Sequence, residues 1–470
     1  MSGNLEIKLD VNHMMGDYLG MEYGIDPKAV EAFQACKAWE NVRKNRETGG
    51  FRWMNLPYNQ DDVLLQIEDC AKMVRGKFDA FVVLGIGGSA LGPIAVQLAL
   101  NHMRWNELRS EKRNGPKFYV EDNVDPERFA SLLEVIDLSK TCFNVITKSG
   151  KTAETMSQYL IVADLLKKAV GESWREHIIA TTDQKDGNLI KIAVENGLQT
   201  FFIPGGVGGR FSELSPVGLL AAAVCGIDIR SMLEGAAAMD ARCQNGGVWQ
   251  NPALLEAVLQ YIAMRQMGKN IQVILPYADS LRSVADWFCQ LWAESLGKNV
   301  TRGGVPVHVG QTPVKALGVT DQHSQLQLYS EGPFDKVVTF LKVKNFRATI
   351  PIPHGCEAYP DIAFLGGKTH NELIEAERQG TEYALYKAGR MNQTIILPEV
   401  SAHTIGQLLY FFEMTTAYMG ELLNIDAFDQ PGVEESKVAS YAVMGCGEEQ
   451  YEEKRNEMAQ RAARREKYIV

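Results

Sequence analysis

"FDAFVVLGIGGSALGPIAVQLAL", residues 78–100, reads as a β-branched apolar run, a glycine turn and then a helical apolar pattern from Leu91. The same order returns in "KFYVEDNVDPERFASLLEVI" (117–136), "FNVITKSGKTAETMSQYLIVADLLKKA" (143–169), "HIIATTDQKDGNLIKIAVENG" (177–197) and "QTFFIPGGVGGRFSELSPVGLLAAAV" (199–224). Successive strand–turn–helix units predict a parallel, doubly wound sheet with helices on both faces. Ligands in such a sheet sit beyond the carboxyl ends of the strands, where these glycine- and hydroxyl-rich turns fall.

Outward from this series, a polar patch "ARCQNGGVWQN" (241–251) precedes a second one. "NIQVILPYADSLRSVADWFCQLWAESLG" (270–297) is strand, turn and helix, and "DKVVTFLKVK" (335–344) and "NQTIILPEV" (392–400) are later strands. The two series share a type without sharing a sequence. The expected organisation is α/β: a helical or irregular segment over 1–70, a first doubly wound domain over 71–245, a second over 246–445, and a charged C-terminal helix over 446–470. In that last helix Glu457 and Arg461 stand four apart, a helix-favouring pair.

A chain of 470 residues is too long for one simple core. With 46% hydrophobic and 23% charged residues it is of ordinary globular composition. A net charge of −10 argues against a general nucleic-acid or acidic-membrane binder, though not against a small anionic substrate. The eight cysteines (36, 70, 142, 225, 243, 289, 356, 446) form no CxxC pair and read as reduced, mostly buried thiols. The N-terminus lacks a basic start followed by an apolar core, and no apolar run reaches bilayer length. The expectation is a cytoplasmic protein.

"VITKSGKTAET" (145–155) contains Gly-Lys-Thr, but Val145 stands where a P-loop requires its first glycine. A polar turn leading into a helix from about Thr152 is nonetheless a good anion site, because backbone N–H groups and the helix end converge there. An ordinary capped turn is the alternative. "LGIGGSALGP" (84–93) permits a dinucleotide reading through Gly85, Gly87 and Ala90. The acidic partner of that motif is misplaced, since Glu121 and Asp122 lie some thirty residues beyond Ala90. Close backbone approach to a small ligand, with Ser89 donating, and simple strand–helix packing remain alongside it.

In "PGGVGGRFSELSPVGLL" (204–220), Arg210 sits in a glycine loop before Ser215-Pro216, an N-cap and N1 pair. A guanidinium there suits oxyanion stabilisation; a salt bridge to a neighbouring helix is the equal alternative. Glu294 falls in the last turn of its helix before Gly297, facing the negative end of the helix dipole, where a carboxylate makes a candidate general base. Most such glutamates are merely exposed. His323 in "DQHSQLQLYSEGP" (321–333) is a candidate proton shuttle or a structural histidine. Zinc spacings are absent from the remaining histidines. Lys437 in "FDQPGVEESKVASYAV" (428–443) has Glu434 three residues before it, the pattern of a surface pair.

Taken together, "VGGRFSELSPVG" and "FDQPGVEESK" resemble the two signature segments of the glucose-6-phosphate isomerase family, and "GIGGSALGP", "SLGK" after Glu294 and "DQHS" are similar to its shorter motifs in the same order. The resemblance spans about residues 80 to 440. It implies two sugar-isomerase (SIS) domains, a homodimer, a sugar-phosphate substrate, and no metal or redox cofactor. It assigns Glu294 as the base moving a proton between C2 and C1, Arg210 as the stabiliser of a cis-enediolate, and His323 and Lys437 as the ring-opening pair, the histidine from the neighbouring subunit. Gly87, Gly88 and Ser89, together with Gln290 and Gln430, become substrate contacts. Thr147, Lys148, Ser149 and Thr152 fall on phosphate-contacting positions of a loop usually closer to S-K-T-x-T-T-x-E-T. Gly150 and Lys151 depart from that pattern, so which lysine faces phosphate stays open. A SIS enzyme for another sugar phosphate, a non-catalytic sugar-phosphate sensor and a nucleotide-linked dehydrogenase are the competing readings.

Overall fold

The computed structural model describes residues 5–33, 37–447, 449–462 and 468–469. Cys36 and the end of the expected C-terminal helix lie outside them. The strands, in chain order, are β1 (Lys8–Asp10), β2 (Ala80–Leu84), β3 (Lys117–Glu121), β4 (Thr141–Ile146), β5 (Ile178–Thr182), β6 (Gln199–Phe202), β7 (Ile271–Pro276), β8 (Lys298–Val300), β9 (Pro306–Val309), β10 (Thr312–Lys315), β11 (Lys336–Asn345) and β12 (Asn392–Glu399).

The first sheet runs β3-β2-β4-β5-β6 with every pair parallel. Within the domain this is the order 2-1-3-4-5 of a doubly wound sheet. Its strands are apolar on both faces because both faces are covered. Val82, Leu84, Phe143 and Val145 pack into one cluster, while Phe81, Val83, Cys142 and Ile146 pack into another on the opposite side.

The second sheet runs β10-β7-β11-β12-β1. Its β7, β10, β11 and β12 are parallel and again doubly wound. The N-terminal segment, expected to be helical or irregular, supplies the last strand: β1 pairs antiparallel with β12, Leu9 opposite Ile395. A small antiparallel hairpin, β8–β9, lies outside both sheets.

One face of each sheet looks into a shared core. The helices Pro216–Val224, Ile229–Cys243, Pro252–Met267, Arg282–Leu296 and Ala402–Leu422 fill it. Ala402–Leu422 is buried almost all round, so its sequence carries apolar residues on every face. Glycines let it come close to its neighbour: a Cβ on Gly406 would stand 1.9 Å from the Met232 carbonyl. Among the described residues no helix is long and apolar enough to cross a membrane.

Candidate active site

The apolar stripe Val284, Trp287, Phe288, Leu291, Trp292 of the helix Arg282–Leu296 is buried in the shared core. That orientation turns Gln290, Ala293 and Glu294 toward a cleft of about 680 Å³, whose other walls are Gly297, Lys298, Asn299 and the segment Gln430–Val433. Glu294 keeps a quarter of its side chain exposed. Its Oε2 accepts from Gln290 Nε2 at 2.9 Å, and its Oε1 lies 3.2 Å from Arg210 Nη1. Gln290 Oε1 is buried with no hydrogen-bond partner, an unused acceptor beside the carboxylate.

Arg210 is only 4% exposed. It stands in the turn Gly209–Phe211, after which Ser215 caps the helix Pro216–Val224 as the sequence predicts, its Oγ accepting from the Val217 N–H. Nε donates to Ser295 Oγ at 2.8 Å. Nη2 donates to the carbonyls of Ala427 and Asp429 at 2.8 and 3.0 Å, and Nη1 to Gln430 Oε1 at 3.0 Å. The guanidinium therefore fixes three segments remote in sequence: its own loop, the end of the Glu294 helix, and 427–430. Burial pulls its pKa down, opposed by Glu294, Asp429 and Asp426.

The first glycine turn closes on this group. A Cβ on Gly88 would stand 2.1 Å from the Gly209 carbonyl, so only a bare backbone fits against the arginine loop. A Cβ on Gly87 would meet Gln290 Nε2 at 2.9 Å. Ser89 lies at the end of the same turn. On the other side of Arg210 a second cleft, of about 510 Å³, is lined by Lys148, the loop Gly206–Phe211, Asp426, Gln430 and the aromatic rings of Phe51, Trp53 and Phe428.

Lys148 brings the 147–152 turn to that second cleft, its Nζ donating to the Val207 carbonyl at 3.2 Å. Thr152 precedes the helix Ala153–Val170, as expected, but does not cap it through its side chain. Its Oγ1 meets Thr147 Oγ1 at 3.0 Å instead, and Thr147 Oγ1 also accepts from the Gly150 N–H. Ser149 Oγ accepts from the Lys151 N–H, and Tyr441 of the helix Glu434–Val443 donates to the Lys151 carbonyl.

Two expected residues lie apart from this group. Lys437 donates to Glu434 Oε1 at 2.8 Å, both side chains more than half exposed. His323 is exposed at the end of the turn Thr320–Gln322. Neither lines either cleft.

Four participants carried no assignment in the sequence. Ser295 anchors Arg210 Nε. Lys298, 8% exposed, donates to the carbonyls of Glu294 and Ser295 at 2.9 and 2.8 Å and lies 3.5 Å from Asp429. Burial lowers its pKa, against the pull of Asp429. Trp53 and Phe51 come from the poorly periodic N-terminal segment, where no local signal marks them. Lys298 had one: it ends the "SLGK" that follows Glu294.

Two doubly wound sheets with strand-end loops meeting around a buried guanidinium, a carboxylate and a hydroxyl-rich turn define a sugar-isomerase type of α/β protein. The chain belongs to the phosphoglucose isomerase family, whose model matches residues 70–459. It is 54% identical over 456 residues to the glucose-6-phosphate isomerase of Carboxydothermus hydrogenoformans, covering 97% of each chain. A Thermus thermophilus structure, described as a hypothetical protein, superposes with a TM-score of 0.84 at 35% identity, over 93% of this chain and 100% of that one. The glucose-6-phosphate isomerase of Chlamydia trachomatis shares the fold, with a TM-score of 0.78 at 22% identity over 90% of this chain and 86% of that one.

Proposed function

We propose that this chain interconverts glucose 6-phosphate and fructose 6-phosphate through a cis-enediolate. The observation that carries the reading is Glu294, held between the Gln290 amide and the Arg210 guanidinium at the wall of an open cleft. Isomerisation moves a hydrogen from C2 to C1 of an opened sugar. Glu294 takes the C2 proton and returns it to C1, which needs one carboxylate within reach of both carbons. Arg210 Nη1, shared by Glu294 and Gln430, is a fixed donor for the oxyanion that develops. As Glu294 takes the proton it loses its own charge, and the Arg210 Nη1 hydrogen bond passes from the carboxylate to the oxyanion without the guanidinium moving. One proton leaves C2 and one is added at C1, so the carbon redox change is internal and needs no outside oxidant or reductant.

Thr147, Lys148, Ser149 and Thr152 take the phosphate, and Gly87, Gly88, Ser89, Gln290 and Gln430 the sugar. Holding the phosphate away from the reacting carbons orients the chain and lends binding energy to the barrier. His323 and Lys437 open the ring, and His323 is supplied by a second copy of this chain in a homodimer. Two features favour that partner. His323 is exposed and lines neither of its own chain's clefts. The excursion between β11 and the helix His370–Lys387 exposes Ile350, Tyr359, Ile362 and Phe364 by 52–65%. The spans 71–245 and 246–445 serve as the two SIS domains, with the 1–70 segment tied to the second by β1. A reducing, cytoplasmic setting fits the seven described cysteines, all free.

A coupled assay of the purified protein with fructose 6-phosphate, with mannose 6-phosphate as competitor, tests the substrate. Glu294→Gln is expected to abolish solvent exchange at C2 while substrate still binds. Wild-type-like exchange in that variant removes Glu294 from the base role.

A further inference from the structure

The turn that carries His323 follows β10 at its carboxyl end, the edge at which α/β sheets meet their substrates. His323 is exposed, but the residues before it are tied down. Asp321 Oδ2 accepts from the Leu317 N–H and its Oδ1 from Ser324 Oγ, both at 2.7 Å. Gln322 is bound to two other elements. Its Oε1 accepts from the hydroxyls of Tyr277 at 2.9 Å and Thr381 at 2.8 Å, and its Nε2 donates to Glu377 Oε2 at 2.6 Å. Tyr277 and Thr381 are each 2% exposed, and their hydroxyls lie 2.9 Å apart.

Tyr277 directly follows β7, with its ring 5.9 Å from that of Phe340 on β11. Glu377 and Thr381 stand one turn apart on the helix His370–Lys387. The Gln322 carboxamide has one orientation here, because reversing it would set its oxygen against the Glu377 carboxylate. The turn is already closed without it: the Asp321 N–H donates to the Leu317 carbonyl at 2.6 Å, and the Gln325 N–H to the Asp321 carbonyl at 2.8 Å. Gln322 adds the direction in which that closed turn points, referred to a strand end and a helix. Gln322, Tyr277, Thr381 and Glu377 line neither cleft.

We propose, on the reading that His323 opens the sugar ring in the partner's cleft, that Gln322 and Tyr277 are positioning residues that aim His323 across the interface. Opening breaks the bond between the anomeric carbon and the ring oxygen; the ring oxygen gains a proton and the anomeric hydroxyl loses one. An imidazole delivers that proton only from about 2.6–3.2 Å. The cleft it must reach belongs to another chain, so its direction has to be set within its own. The carboxamide, held by two hydroxyls and a carboxylate, sets it, and the hydrogen bond to the charged group is the strongest of the three.

Two readouts separate ring opening from the C2 step in the full-length protein. Exchange between the anomers of fructose 6-phosphate, followed by carbon NMR, reports opening. The isotope effect on kcat/KM with glucose 6-phosphate deuterated at C2 reports proton abstraction. Gln322→Leu is expected to slow anomer exchange on the order of tenfold and to bring the isotope effect toward one, because opening then limits turnover. Tyr277→Phe, which keeps the ring against Phe340 and deletes one hydroxyl, is expected to move both in the same direction by less. Gln322→Glu combined with Glu377→Gln exchanges amide and carboxylate across one contact and is expected to recover most of the rate. His323→Ala is the control: undiminished anomer exchange in that variant withdraws the ring-opening role of His323, and the aiming role of Gln322 with it. Where His323→Ala loses exchange, an undiminished rate in Gln322→Leu overturns the proposal, as does one in Tyr277→Phe should Gln322→Leu not fold. So does a loss of turnover accompanied by a larger isotope effect, the mark of a damaged C2 step.

Discussion

Lys148 and Lys151 are equivalent as phosphate ligands in the sequence, but they are not equivalent in the fold. Lys148 Nζ is already engaged by the Val207 carbonyl and reaches the cleft beside Arg210, whereas the carbonyl of Lys151 is held by Tyr441 from a helix that the motif does not include. Lys298 makes the same point more sharply. The helix dipole alone would place a negative end beside Glu294. The structure sets a buried ammonium on the carbonyls of Glu294 and Ser295, answering that end with a cation. Lys298 is thus a positioning residue for Glu294, the proposed base. Lys298→Met is expected to lower kcat on the order of tenfold with a smaller change in KM, since misplacing a reacting group costs turnover first. Lys298→Arg is expected to restore most of it. Steady-state kinetics on both variants check this, and a loss confined to KM would instead make Lys298 a substrate contact. Arg210 and Glu294 were legible as candidates because a glycine loop and a helix end are local features. Their 3.2 Å approach was not, because it depends on a contact across eighty-four residues of chain.

At the scale of elements, the long parallel strands were readable because each is a β-branched run bounded by turn residues. The strands that escaped are short or at edges. β10 carries Pro313, which a strand tolerates only where its N–H faces away from a partner, and β10 is indeed the last strand of its sheet. β1 has three residues, and its partner lies nearly four hundred positions on. The turn between the arginine loop and the helix Pro216–Val224 holds a feature that no pattern announces. Glu213 is 1% exposed with neither carboxyl oxygen hydrogen-bonded, packed where Cβ atoms on Gly92 or Gly218 would collide with it. Burial pushes its pKa well up, and Glu413 on the helix Ala402–Leu422 is raised by burial and by Glu213. The folded state therefore keeps protons that the unfolded chain releases in the ordinary carboxyl range. Stability from this source is complete below that range and falls as pH rises toward the raised folded values, by about 1.4 kcal/mol per pH unit for each retained proton. Glu213→Gln, permanently neutral, removes its share of the slope. The Tm of the variant relative to wild type is expected to rise as pH increases above the ordinary carboxyl range, read by thermal unfolding at a series of pH values. A constant difference would mean that Glu213 ionises alike in both states.

On the scale of the whole molecule, the two sheets share one helical core, so the Glu294 helix of the second half and the arginine loop of the first are fixed relative to each other. Lys437 and His323 are left outside that arrangement, and for His323, proposed above to open the ring, a two-fold assembly resolves this if each cleft takes it from its partner. The hypothesis yields a complementation test. Glu294→Gln subunits lack the base but carry a good histidine; His323→Ala subunits carry a good base but no histidine to give. Each homodimer is expected to be nearly inactive on cyclic substrate. Unfolded together and refolded, they form mixed dimers in which the Glu294 of one chain meets the His323 of the other in one of the two clefts. Random pairing then restores about a quarter of wild-type activity, because half the dimers are mixed and half of their sites are complete. Sedimentation of the mixture must show a dimer. Recovery no greater than the sum of the two parents would place His323 and Glu294 in the same chain's site and end the exchange.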